Sequence, residues 1–118
     1  MRQNNRATGR FYEEQASAFL IGLGYKILEH NFYCRSGEID LIARDGRYLV
    51  FIEVKYRATG ERGDPAESVD LKKQKKIINT ARYYLLTHNY EECIPCRFDV
   101  VAILKNEIRV IKDAFYGT

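Results

Sequence analysis

Gly37-Glu38-Ile39-Asp40-Leu41-Ile42 and Phe51-Ile52-Glu53-Val54-Lys55 flank the tetrapeptide Arg44-Asp45-Gly46-Arg47. How this stretch pairs decides the fold. An Asp-Gly pair between two apolar runs is a strong hairpin signal. With Asp45-Gly46 as a two-residue turn, Arg44 faces Arg47, Glu38 lies across from Glu53, and Asp40 lies across from Phe51. Side chains on a strand alternate between faces, so Glu38, Asp40, Glu53 and Lys55 project from one face. Asp40 and Glu53 become diagonal neighbours, roughly 7–8 Å apart, within reach of one divalent cation. The opposite face is apolar: Ile39, Leu41, Ala43, Val50, Ile52 and Val54. Charges on one side of an antiparallel hairpin are ordinary when that side meets water. Here Ile42, Leu49 and Phe51 make the charged side partly apolar, which predicts a half-buried setting for the carboxylates. A turn with an odd number of residues would break this geometry.

Working outward, the segment from about Gly9 to Leu23 reads as a helix closed by Gly22-Leu23-Gly24. Tyr12, Ala16, Phe19, Leu20 and Leu23 form its apolar stripe, with Glu13 at the edge of the stripe and Glu14 turned to solvent. Tyr25 to Cys34 follows as a strand, then hairpin arms at about 38–44 and 47–57. Residues 58–65, with two glycines and a proline, form a polar loop placed to close over a substrate, and Asp64-Pro65-Ala66-Glu67 reads as a capped helical turn. A longer helix runs from about Asp70 to His88, and strands at Arg97–Leu104 and Glu107–Lys112 end the pattern. The order αβββαββ predicts an α/β domain with a central mixed sheet flanked by helices.

The second helix carries Ile77, Ile78, Ala81, Tyr84 and Leu85 as its stripe, which projected back one turn places Gln74 near the middle of the stripe and Lys73 at its edge. A buried amide needs partners or costs about 1–3 kcal/mol. Lys72, Lys75 and Lys76 point outward, as a solvated face or as a grip on a phosphate backbone.

Bulk properties set limits. A chain of 118 residues makes one domain able to bury a core without staples. No apolar run approaches the roughly 20 residues that span a bilayer, which predicts no membrane partner. The polar start Met1-Arg-Gln-Asn-Asn-Arg6 leads into no secretion signal. A net charge of +3 permits a nucleic-acid partner without demanding one. Three cysteines and no export signal predict free thiols in a cytoplasm. Cys93-Ile94-Pro95-Cys96 precedes a strand rather than opening a helix, and a zinc site from Cys34, His88, Cys93 and Cys96 would need scattered ligands. His30 and His88 each stand apart from any nucleophile.

Gly9…Glu13-x-x-Ala16, the 37–42 and 51–57 blocks, Lys73-Gln74 and Arg97-Phe98-Asp99-Val100 together resemble, in order, the YraN-like bacterial proteins. That family belongs to the PD-(D/E)xK nuclease-like superfamily and is similar to archaeal Holliday-junction resolvases. The resemblance implies a restriction-endonuclease-like core and DNA cleavage with Mg²⁺, or Mn²⁺ in its place. It assigns Asp40 and Glu53 as the acidic pair, Lys55 as the motif lysine, Glu13 as the helix acid and Gln74 as a polar neighbour. Asp40, Glu53 and Glu13 would hold the metal, with the Val54 carbonyl as a further ligand. Arg57, Lys72, Lys73, Lys75 and Lys76 would grip DNA, branched or single-stranded, and the likeness to resolvases implies a homodimer. Ile39 stands where the superfamily pattern has proline. The chemistry implied is metal-assisted phosphodiester hydrolysis, for which magnesium needs only one or two protein carboxylates. A rival reading keeps the fold as a nucleic-acid-binding or assembly module that cuts nothing.

Overall fold

A computed structural model of the chain describes residues 3–59, 69–91 and 93–116. Most of the expected 58–65 loop and the capped turn at 64–67 lie outside these residues. The described elements are α1 (Gln3–Gly22), β1 (Lys26–Cys34), β2 (Gly37–Asp45), β3 (Tyr48–Arg57), α2 (Leu71–Thr87), β4 (Cys96–Leu104) and β5 (Glu107–Phe115). Their order is the αβββαββ expected from sequence, with α1 starting earlier and β5 ending later than the apolar patterns indicate.

The strands form one sheet in the order β1-β2-β3-β4-β5. Only the β3–β4 pair is parallel, and α2 lies on the crossover that a parallel pair requires. Tyr48 to Val54 is a nearly unbroken apolar run because both faces of β3 are covered. On one face Ala16 and Leu20 of α1 pack with Leu41, Ala43, Val50, Ile52, Val101 and Ile103. On the other, Ile77, Ala81 and Tyr84 of α2 pack with Ile42, Leu49, Phe51, Phe98 and Val100. The domain is thus a three-layer α/β/α sandwich.

Helix α1 ends in a Schellman motif. Gly24 takes a φ of 100°, and the Tyr25 and Gly24 N–H groups donate to the Leu20 and Ile21 carbonyls, each at 3.0 Å. Helix α2 opens on Asp70, whose carboxylate accepts the Lys73 N–H at 2.8 Å. At Gly37, with φ of 151°, a Cβ would meet Thr80 Oγ1 at 3.3 Å. Glycine there lets the start of β2 lie close against α2.

The hairpin register differs from the sequence expectation. Asp45 pairs with Tyr48, and the turn is Gly46-Arg47 rather than Asp45-Gly46. Gly46, at φ of 60°, occupies the first turn position, where type II′ hairpins place glycine. Asp45 is drawn into the strand because Arg97 Nη2 donates to its Oδ2 at 2.7 Å and Lys112 lies 3.5 Å from the same oxygen. The slip is two residues, which by itself leaves faces unchanged. Ile39, however, expected beside Leu41 and Ala43, packs instead in the α2-side core with Ile42 and Phe51. Strand β2 thus changes face around Asp40, opposite the positive-φ Asn31 of β1. Continuing the observed register, Asp40 falls opposite Glu53 instead of opposite Phe51.

Candidate active site

The backbone ladder between β2 and β3 ends at Leu41–Ile52. Past that point the strands part, and the Val54 N–H donates to the Asp40 carboxylate at 2.8 Å. Asp40 is therefore fixed at a fork in the sheet by an amide that would otherwise serve the ladder. Thr8, Gly9, Tyr12 and Glu13 of α1 close the fork over Asp40, Glu53, Val54 and Tyr56, leaving a cavity of about 320 Å³.

Glu53 points toward α2, following the parity of Phe51, and is only 5% exposed. Its Oε2 lies 3.3 Å from Lys55 Nζ and 3.5 Å from Lys73 Nζ. Its Oε1 is buried with no hydrogen-bond partner among the described residues. A bare carboxylate oxygen in a dry setting costs about 1–3 kcal/mol or more unless something positive or proton-bearing meets it. The Asp40 carboxyl is held well above the usual carboxylate range, first by loss of hydration and then by the neighbouring Glu53 charge, against the Val54 hydrogen bond. Glu13 is raised as well, mainly by burial, with the charges of Glu38 and Glu53 adding and hydrogen bonds to Asn31 and Asp40 opposing. These carboxylates crowd one another in a way that a cation would relieve.

The donor set fits a hard divalent ion. Two carboxylates, one with an unsatisfied buried oxygen, are enough for magnesium, which keeps waters in its remaining positions. Among the described residues no three His, Cys, Asp or Glu side chains form a ready cage. Glu13 thus stands as a neighbour of the Asp40–Glu53 pair rather than as the third arm of a cage.

On α2 the residue reaching the site is Lys73. The buried stripe runs Ile77, Thr80, Ala81, Tyr84, and one turn back from Ile77 is Lys73. Gln74 is half-buried but turns to its own helix start, where Nε2 donates to the Val69 carbonyl at 3.1 Å. Thr80 joins the expected stripe although it looks polar: it is buried with its hydroxyl donating to the Lys76 carbonyl at 2.8 Å. Lys72, Lys75 and Lys76 are placed along the same helix, and Lys72, Lys75 and Lys76 differ from Lys73 in not meeting Glu53. Arg57 donates from Nη1 to the Tyr56 carbonyl at 3.0 Å, and its buried Nε has no partner among the described residues.

Two aromatic residues of the site escaped the sequence reading. Tyr12 and Tyr56 stack with ring centroids 3.7 Å apart and planes 15° from parallel, and both line the cavity. The Tyr12 hydroxyl is held above its usual pKa, foremost by a hydrogen bond with Tyr56, so it stays neutral. Tyr12 reads as a helix-stripe residue and Tyr56 as a strand end; only their shared adjacency to Glu13 and Lys55 could have flagged them.

The cysteines do not assemble with His88. Cys34, Cys93 and Cys96 are free thiols. His88 instead stacks on Tyr84 at 4.0 Å and lies 3.8 Å from Glu29. No helix among the described residues is long and apolar enough to cross a membrane.

Against known proteins, the sequence model described as "Uncharacterised protein family UPF0102" matches residues 12–103. A UPF0102 protein of Lachnoclostridium phytofermentans is 51% identical over 117 residues, covering 98% of this chain and 99% of the relative. The UPF0102 protein YraN of Escherichia coli O1:K1 / APEC is 48% identical over 111 residues, 93% of this chain and 85% of the relative. The chain belongs to the UPF0102 family, the YraN-like proteins.

Proposed function

We propose that this member of the UPF0102 family is a metal-dependent endonuclease that hydrolyses DNA phosphodiesters in the cytoplasm, using Mg²⁺ or Mn²⁺ held by Asp40 and Glu53. The observation that carries this reading is the partnerless, buried Glu53 Oε1 beside an Asp40 fixed by the Val54 amide. A divalent ion bound there supplies charge to offset the phosphate and makes a bound water more acidic. Asp40 has one oxygen committed to the backbone, which sets the orientation of the other. Lys55 and Lys73, drawn in by Glu53 Oε2, are the cations available to offset negative charge that develops on the phosphate. Tyr12 and Glu13 wall the cavity on the α1 side. Lys72, Lys75 and Lys76 suit contacts to the phosphate backbone away from the reacting bond.

The test is cleavage of branched, single-stranded and duplex DNA with Mg²⁺ or Mn²⁺ by the wild type, Asp40→Asn and Glu53→Gln. Each substitution should lower cleavage by about 10²-fold or more, the cost of removing a transition-state electrostatic contact. DNA binding without metal should persist or strengthen, since each change removes negative charge. Equal cleavage by all three proteins would overturn the assignment. Binding by the wild type with no cleavage of any substrate would instead make the chain a binding module on a nuclease-like fold.

A further inference from the structure

Two of the side chains lining the cavity beside Glu13, Asp40 and Glu53 are aromatic rings. The stacked Tyr12–Tyr56 pair lines the space that holds Asp40 and Glu53, and Phe11, 52% exposed, meets Tyr12 edge-on at 5.1 Å. Gly9 and Glu13 also line a second groove of about 800 Å³, which holds Arg10 and Tyr33 together with the acidic Glu38. Tyr33 is 70% exposed. Nothing lies within 4 Å of where a Gly9 Cβ would stand, so this exposed edge of α1 presents no side chain between the two spaces. Aromatic side chains on which bases stack are the means by which proteins hold single strands without reading sequence.

Resting on the endonuclease reading, we infer that Tyr12 and Tyr56 form a stacking platform for an unpaired base next to the scissile phosphate, so that the preferred substrate is DNA with a single-stranded nucleotide at the cleavage position. In continuous duplex both faces of each base are already covered by neighbours. A ring pair recessed beside the carboxylates can stack only on a base that has left the helix or was never paired. The strand on one side of that base would then follow the groove past Gly9 toward Arg10 and Tyr33. The platform therefore selects substrate without reading sequence, since every base offers a π-face.

The experiment uses the full chain without added metal and follows binding by fluorescence anisotropy. The probes are one single-stranded oligonucleotide and its duplex, each also prepared with 2-aminopurine, whose emission falls on stacking. Tyr12→Leu/Tyr56→Leu keeps bulk and removes the π-faces; Tyr12→Phe and Tyr56→Phe keep the faces and remove the hydroxyls. The leucine pair should weaken single-strand binding by about 5- to 100-fold and leave duplex binding nearly unchanged, while the phenylalanine variants bind like wild type. Wild type should quench 2-aminopurine in the single strand and not in the duplex, a readout that stands even if the leucine pair fails to fold. Absence of that quenching, or equal losses on both probes, overturns the platform. Quenching with no metal-dependent cleavage would defeat the nuclease reading and leave the platform. Cleavage that needs Asp40 and Glu53 without quenching would do the reverse.

Discussion

Asp99→Ala separates a structural role from a chemical one for the Arg97-Phe98-Asp99-Val100 block. Asp99 is 0% exposed. It accepts four hydrogen bonds: from Tyr25 Oη at 2.8 Å, Arg97 Nε at 2.9 Å, Arg97 Nη2 at 2.8 Å and the Asp113 N–H at 3.0 Å. Through them it ties the start of β1, the β4 strand and the irregular end of β5. Arg97 is itself only 11% exposed and reaches on to Asp45 beside the hairpin turn. Alanine would leave a buried guanidinium with one carboxylate where it had two, and would strand the Tyr25 hydroxyl and the Asp113 amide. Breaking a buried pair in this way costs about 3–5 kcal/mol. At about 2.1 cal/mol/K per residue, unfolding this chain carries roughly 0.25 kcal/mol/K of entropy, so the melting temperature should fall by about 12–20 °C. Asp99→Asn keeps the shape and one acceptor while losing the charge, and should cost about 2 kcal/mol. Urea titration and thermal melts followed by circular dichroism measure both. An Asp99→Ala protein that melts like wild type yet has lost cleavage would refute the reasoning and place Asp99 in the chemistry.

Asp40 has a raised folded pKa, so its contribution favours the metal-free fold below the unfolded value and is lost as pH rises through the folded one. Metal-free Asp40→Asn should therefore melt higher than wild type at neutral and alkaline pH, converge with it in acid, and lose the melting shift that Mg²⁺ gives wild type. Gly37→Ala puts a Cβ at φ of 151° and 3.3 Å from Thr80 Oγ1, and should destabilise by about 1–2 kcal/mol in urea. Replacing Lys72, Lys75 and Lys76 with glutamine should weaken DNA binding on all sequences, and a salt titration should show its log–log slope flattened by about 0.9 for each phosphate no longer neutralised.

What sequence could and could not say about this fold divides along one physical line: local pattern is written in the chain, and long-range pairing is not. The αβββαββ order was legible because Tyr48 to Val54 of β3 is a nearly unbroken apolar run and the two helices carry clear stripes. The hairpin was legible, but its register was not. Gly46 can serve at either turn position, and the choice is made by Arg97 and Lys112 holding Asp45 in its strand from β4 and β5. A two-residue slip alone preserves faces, but β2 also changes face around Asp40, where its pairing with β3 stops: Ile39 packs on the α2 side and Leu41 on the α1 side. The stripe of the second helix was legible, since Ile77, Ile78, Ala81, Tyr84 and Leu85 all pack on the sheet. What was not legible is that half-buried Gln74 turns to the Val69 carbonyl while Lys73, at the edge, meets Glu53. That difference alters the chemistry of the site: where an amide was expected beside the carboxylates, a second cation approaches Glu53. Lys55 and Lys73 both spend their charge on Oε2, which leaves the buried Oε1 without a hydrogen-bond partner among the described residues. An incoming phosphate would compete with Glu53 for both lysines, while a cation at Oε1 would weaken Glu53's hold on them. Metal and DNA should accordingly bind with positive coupling, each loosening an interaction that opposes the other.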